Sequence, residues 1–98
     1  MEPTYLIGEV WLDHGSVAEF KAVRTRLLDV LAVCRAEYVF HGHPFAWVFN
    51  DCADAPPSGV EIWRFASPQD ARQAVAAIGR VVAGELAAIR FRCYLAHR

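Results

Sequence analysis

Val60-Glu61-Ile62-Trp63-Arg64-Phe65-Ala66 runs directly into Ser67-Pro68-Gln69-Asp70, and this junction is the clearest structural signal in the chain. The first part is rich in β-branched and aromatic residues, which suit a pleated, half-buried strand over residues 60–66. Ser67 is a good N-cap, Pro68 suits the first helical position, and Asp70 is favoured by the positive helix end. Downstream, Ala71, Ala74, Val75 and Ile78 supply a buried helical stripe, and Gly79 is a natural stop. Residues 80–88 read either as a short further helix or as an irregular link. Residues 89–96 close the chain as a last strand, with Ile89, Phe91, Cys93 and Leu95 on one face.

Upstream of the junction, residues 50–59 form a loop dense in turn formers, including Asp54, Pro56, Pro57 and Gly59. Before it, residues 38–43 read as a strand ended by Pro44, which cannot donate to a ladder. The apolar run at 45–49 extends that strand beyond a break. A long helix precedes it, from Val17 to Cys34 or Arg35. Ser16 and Glu19 form a capping box, and Val17, Phe20, Val23, Leu27, Val30, Leu31 and Cys34 recur at three- and four-residue spacing. The first strand, residues 5–12, alternates Leu6, Gly8, Val10 and Leu12 with Tyr5, Ile7, Glu9 and Trp11, and stops at Asp13-His14-Gly15.

The order β-α-β-β-α-β predicts one α+β domain over residues 1–98, a ferredoxin-like split βαβ fold with a four-stranded antiparallel sheet. Right-handed crossovers put the first and third strands in the centre and both helices on one face. The other face is left bare, and its expected occupants are Tyr5, Ile7, Glu9, Trp11, Glu61, Trp63, Phe65 and Tyr94. So many aromatics on an uncovered face predict a homodimer packed sheet to sheet. On that face Glu9 should form an ion-pair network with Arg90 and Arg92, because an unpaired buried carboxylate is costly.

Composition narrows the function classes. Hydrophobic residues make up 55% of the chain and charged residues 21%, a surplus that suits an interface or a pocket for an apolar ligand. A formal net charge of −1 gives no field to attract nucleic acid. No apolar run approaches the ~18–20 residues of a membrane-spanning helix, and the N-terminus lacks a signal-peptide pattern. Cys34, Cys52 and Cys93 are odd in number and far apart, so they read as reduced thiols of a cytoplasmic protein.

Two stretches carry a resemblance. Val60-Glu61-Ile62-Trp63 leading into Ala66-Ser67, together with the ending Tyr94-Leu95-Ala96-His97-Arg98, is similar to the strand–helix–strand ending of muconolactone-isomerase-like proteins, with their Ile-Trp strand and late His. The opening Tyr5-Leu6-Ile7-Gly8-Glu9-Val10 resembles the first strand of other members of the dimeric α+β barrel superfamily. This resemblance implies ferredoxin-like subunits paired through their sheets. It also implies a scaffold that hosts isomerases, polyketide cyclases, cofactor-free monooxygenases and haem-degrading enzymes. The segment 45–58 is longer and more Pro-rich than in the isomerase, which bears on whether the substrate is shared.

His41 and His43 are the sharpest chemical feature. Alternation points both imidazoles to one face, about 6–7 Å apart, an arrangement that suits two metal ligands, an acid–base pair, or an ordinary edge-strand pair. A metal needs a third ligand, and Glu61, His14 or His97 could supply it only through tertiary contacts; no metal and no cofactor is therefore assigned. His14 reads as a solvated turn residue and His97 as frayed. Glu9 and Glu61 read as carboxylates salt-bridged to Arg90, Arg92 or Arg64, with a proton shuttle of raised pKa as the alternative, and Cys93 reads as a small core residue. No phosphate loop, nucleophile elbow or zinc motif is present.

The leading expectation is a cofactor-independent isomerase- or cyclase-like enzyme acting on a small apolar carbonyl compound. His43 or His41 serves as base, Tyr38 or Arg64 as polar orienter, and Trp47 with Trp63 as pocket wall. The alternatives are a non-catalytic dimeric protein that binds an apolar ligand, and a metal-dependent, haem-dependent or cofactor-free monooxygenase.

Overall fold

The computed structural model describes residues 3–12, 17–44, 46, 55–85 and 90–97. Six elements follow in order: β1 (Thr4–Trp11), α1 (Val17–Val33), β2 (Glu37–Gly42), β3 (Gly59–Phe65), α2 (Pro68–Glu85) and β4 (Arg90–His97). The strands make one antiparallel sheet in the order β2-β3-β1-β4. The fold is thus the ferredoxin-like α+β arrangement, with β1 and β3 in the centre as right-handed crossovers demand. Among the described residues, no helix is long and apolar enough to cross a membrane.

The β1–β3 register decides which side chains meet the helices. Leu6 lies opposite Trp63, Gly8 opposite Glu61 and Val10 opposite Gly59. On the other flank Gly8 faces Cys93 and Val10 faces Phe91. Directly opposed residues share a face, so Glu61, Trp63 and Phe65 stand on the helix side with Leu6, Gly8 and Val10. This corrects their assignment to the bare face, where the register puts Val60, Ile62 and Arg64 instead. Both sets of β3 residues are rich in apolar types, and a one-residue slip exchanges them, so only the pairing could choose. Tyr5, Ile7, Glu9, Trp11 and Tyr94 do share the bare face.

The core gathers Leu6, Val10, Phe65, Val23, Leu27, Leu31, Ala71, Ala74 and Ile78. Its two helices are seated differently. Ala71 and Ala74 are fully buried, and their small side chains let α2 lie close against β1 and β3. The larger residues of α1 pack mainly against α2, which leaves space between α1 and the sheet.

Local chemistry explains the ends. The Asp70 N–H donates to Ser67 Oγ at 3.2 Å, the expected N-cap of α2; Ser16, of the α1 capping box, lies outside the described residues. At the end of α1, Arg35 adopts φ 60°. Ala36 N–H donates to the Leu31 carbonyl at 2.9 Å and Arg35 N–H to that of Ala32 at 3.1 Å, a Schellman ending with Arg in the left-handed position usually taken by Gly. Gly79 does not stop α2, which continues to Glu85. Ile78 is buried and Val81 packs on the core, and that packing outweighs the roughly 1 kcal/mol helical penalty of Gly. His97 is paired with Thr4 in β4 and is not frayed. In β2 a bulge between Tyr38 and Phe40 absorbs one residue, so Tyr38 and His41 point to the same, helix-side face.

Candidate functional site

A cavity of about 320 Å³ occupies the space between α1 and the sheet. Its walls are largely apolar, with Phe20, Leu27, Leu28 and Leu31 from α1 facing Leu6, Val10, Trp63 and Phe91 from the sheet. A small set of polar groups interrupts them: His41, His43, Ser58, Lys21, Arg24 and Glu61. Apolar walls with a few convergent polar groups are the usual make-up of a small-molecule site.

The two histidines lie together, ring centroids 4.9 Å apart. His43 is oriented by the backbone: its Nδ1 is 3.1 Å from the carbonyl oxygen of Ser58. A carbonyl only accepts, so Nδ1 carries the hydrogen and Nε2 of the neutral ring keeps its lone pair. Ser58 is itself fixed. Its N–H donates to the Val10 carbonyl at 2.7 Å, and its Oγ accepts the Leu12 N–H at 2.8 Å. The end of β1 therefore sets the tautomer of His43.

Glu61 faces the cavity and is held by Arg24 of α1; this corrects the expected pairing with Arg64, Arg90 or Arg92, which the register turns to the opposite face. Arg24 Nε donates to Glu61 Oε1 at 2.9 Å, and Nη2 donates to the same oxygen. This pair ties the roof of the cavity to its floor. Cys93 also lines the space, and burial pushes its thiol pKa up, away from the thiolate a nucleophile needs. Among the described residues, no group of three His, Cys, Asp or Glu side chains is placed to hold a metal ion.

The structure thus brings His41, His43 and Trp63 to one cavity. Tyr38 stands behind it, edge-on to Trp63 with centroids 5.1 Å apart and planes at 80°. Arg64 is on the opposite face: it pairs with Glu37, which holds its guanidinium pKa up, in a depression with Pro3, Arg35 and Ala66. The register that turned Trp63 toward the helices turned Arg64 away, so its expected role as orienter beside the histidines is corrected. Trp47 and His14 lie outside the described residues. The expected bare-face ion pair between Glu9 and Arg92 is present at 3.1 Å. Arg90 and Arg92 both lie over the Trp11 ring, 4.5 and 5.3 Å from its centroid.

Lys21, Arg24 and Ser58 line the cavity without having been among the expected site residues. Arg24 carried a usable signal, since it is four residues from both Phe20 and Leu28 and so lies on the apolar side of α1. Ser58 carried none, being one polar residue within a Pro-rich loop.

No known family pattern and no curated protein matches the chain. Solved structures do. A protein of unknown function from Rhodopseudomonas palustris superposes with a TM-score of 0.75 at 13% identity, over 99% of this chain and 82% of that one. A variant of SnoaB, a cofactor-independent oxygenase from Streptomyces nogalater, gives 0.64 at 19% identity, over 98% and 92%. A 30S ribosomal protein from Thermotoga maritima gives 0.57 at 12% identity, over 100% and 89%. These likenesses establish the ferredoxin-like fold, the subunit fold of the dimeric α+β barrels. An oxygenase and a ribosomal protein on one fold also show that function must be argued from the site.

Proposed function

We propose that the protein is a cofactor-free acid–base enzyme that moves a proton on a small, largely apolar carbonyl compound. The observation that carries this reading is the pair His41 and His43 on the wall of a cavity that is otherwise nearly all hydrocarbon. In this reading His43 Nε2 removes a proton from the carbon beside the carbonyl. The negative charge moves to the carbonyl oxygen, where an N–H of His41 meets it, and Trp63 and Phe91 confine the substrate. Return of the proton from His43 to a different carbon completes an isomerisation; attack of the carbanion on a second carbonyl, with the His43 proton passing to the new alkoxide, completes a cyclisation. The fold likeness to SnoaB supports a second outcome from the same carbanion, in which molecular oxygen takes the place of the second carbonyl. The protein works in the cytoplasm as a homodimer, closed over the bare sheet face.

The test is proton exchange in D2O, followed by NMR, on a panel of cyclic enones and 1,3-diketones. Deuterium should enter beside the carbonyl, and His43→Gln should slow entry by about a hundredfold or more. Only a two- to tenfold loss on replacing both histidines, well below the roughly 10²–10⁴-fold that general acid–base catalysis contributes, would overturn the acid–base role. Oxygen uptake that also depends on His43 would move the assignment to an oxygenase.

A further inference from the structure

We infer that this cavity is a slot for a flat, bicyclic-sized conjugated ring bearing one acidic group, with the backbone at Gly8 as its floor. The inference rests on the cavity being the ligand site and adds what that ligand is.

Gly8 is the anomaly that points there. It sits in mid-strand in β1, paired with Glu61 on one side and Cys93 on the other. Glycine in a strand interior costs about 0.5–1 kcal/mol of stability, because it has more freedom to lose and no side chain to pack. Neither usual reason for tolerating it applies. Among the described residues no glycine has a positive φ. A Cβ built on Gly8 would meet only the Phe91 ring, at 3.8 Å and 3.9 Å, an ordinary contact. The missing side chain is required by no neighbour; what it provides is an uncovered strip of peptide inside the cavity. Gly59, diagonal to it across the β1–β3 ladder, repeats the pattern. A Cβ there would lie 3.6 Å from Val10 Cγ1 and 4.0 Å from His41 Nε2, again without a clash. A bare peptide surface between the Trp63 and Phe91 side chains offers a flat face against which a conjugated ring can lie.

Size and charge narrow the class. An apolar cavity of about 150 Å³ takes one benzene, so 320 Å³ matches two fused rings. Of the charged groups on the wall, Arg24 and Glu61 neutralise each other. Lys21 has no partner among the described residues, and its charge at the exposed edge of the cavity, together with an N–H of His41, favours a ligand with an anionic edge.

Calorimetric titration of the intact protein with 2-naphthoate and, as its uncharged counterpart, 2-naphthol tests the assignment. The wild type should bind 2-naphthoate about tenfold more tightly than 2-naphthol, and Lys21→Gln should erase that preference. Gly8→Ala should weaken both about tenfold and Gly8→Val should abolish both. Melting temperatures at or above wild type for Gly8→Ala will show that space and not folding was lost. Wild-type protein that binds neither ring, or Gly8→Val that binds both as the wild type does, overturns the inference. Binding without any proton exchange would sink the catalytic reading and leave the slot intact. Exchange that survives Gly8→Val would do the reverse.

Discussion

From β3, Glu61, Trp63 and Phe65 point toward the helices, while Val60, Ile62 and Arg64 point away. The two sides are close in hydrophobicity, yet they solve different problems. On the helix side, Phe65 is 0% exposed and packs in the core, whereas Trp63 a few ångströms along the strand is only part-buried at the cavity. On the far side Glu9, 8% exposed, is neutralised by Arg92, and Trp11 lies beneath two guanidinium groups. A sheet face can therefore be rich in aromatics because it is filled, because it encloses a ligand, or because it carries stacked cations. Residue type alone does not say which.

The sharpest way to break this contrast is truncation on each side. Phe65→Ala should cost about 3–5 kcal/mol in a urea melt, the range for emptying a closed core. Ile62→Ala, on the open face, should cost about 1 kcal/mol in a monomer. If a second copy covers that face, the Ile62→Ala cost will instead grow and change with protein concentration. Within the helix side, Ala71→Leu forces a large side chain under α2 and should cost about 1–3 kcal/mol, whereas Leu28→Phe, which enlarges into the cavity, should cost less than about 1 kcal/mol. Equal costs would mean that α1 and α2 are seated alike. The smallest effect is a pH effect on the open face. Burial, and then the nearby Glu9 carboxylate, raise the Tyr94 hydroxyl above its ordinary 10.0. The unfolded chain gives up that proton first, so this stability is whole below pH 10.0 and is lost as pH climbs through the folded value. Tyr94→Phe should flatten that alkaline decline in thermal melts, and an unchanged slope would remove Tyr94 from the account.

What could be read from the sequence follows from which forces are local. Ser67 caps α2 because its hydroxyl is within reach of the Asp70 N–H, a contact fixed by three residues of spacing. The order of strands followed from chirality. The pairing of Glu9 with Arg92 was legible because neighbouring strands leave few other cations within reach. The cavity was not legible, because it arises where large α1 side chains meet an α2 seated low on alanines, a difference of volumes between elements far apart in the chain. Nor was the placing of Tyr38 beside His41, since it turns on a bulge that absorbs a single residue. Arg64 and Trp63 exchanged faces relative to expectation for the same kind of reason, a parity that only long-range pairing sets.

Residues 55 and 58 act as fixed posts in the connection between β2 and β3. The Trp11 indole holds the Ala55 carbonyl at 2.8 Å, and β1 holds Ser58 on its backbone and its hydroxyl. The proton donated by His43 ends on the second post, the Ser58 carbonyl. The lone pair on His43 Nε2 is thus inherited from β1: a substitution that leaves the Ser58 backbone docked on Val10 and Leu12 keeps it, and one that unseats Ser58 frees the ring to turn over.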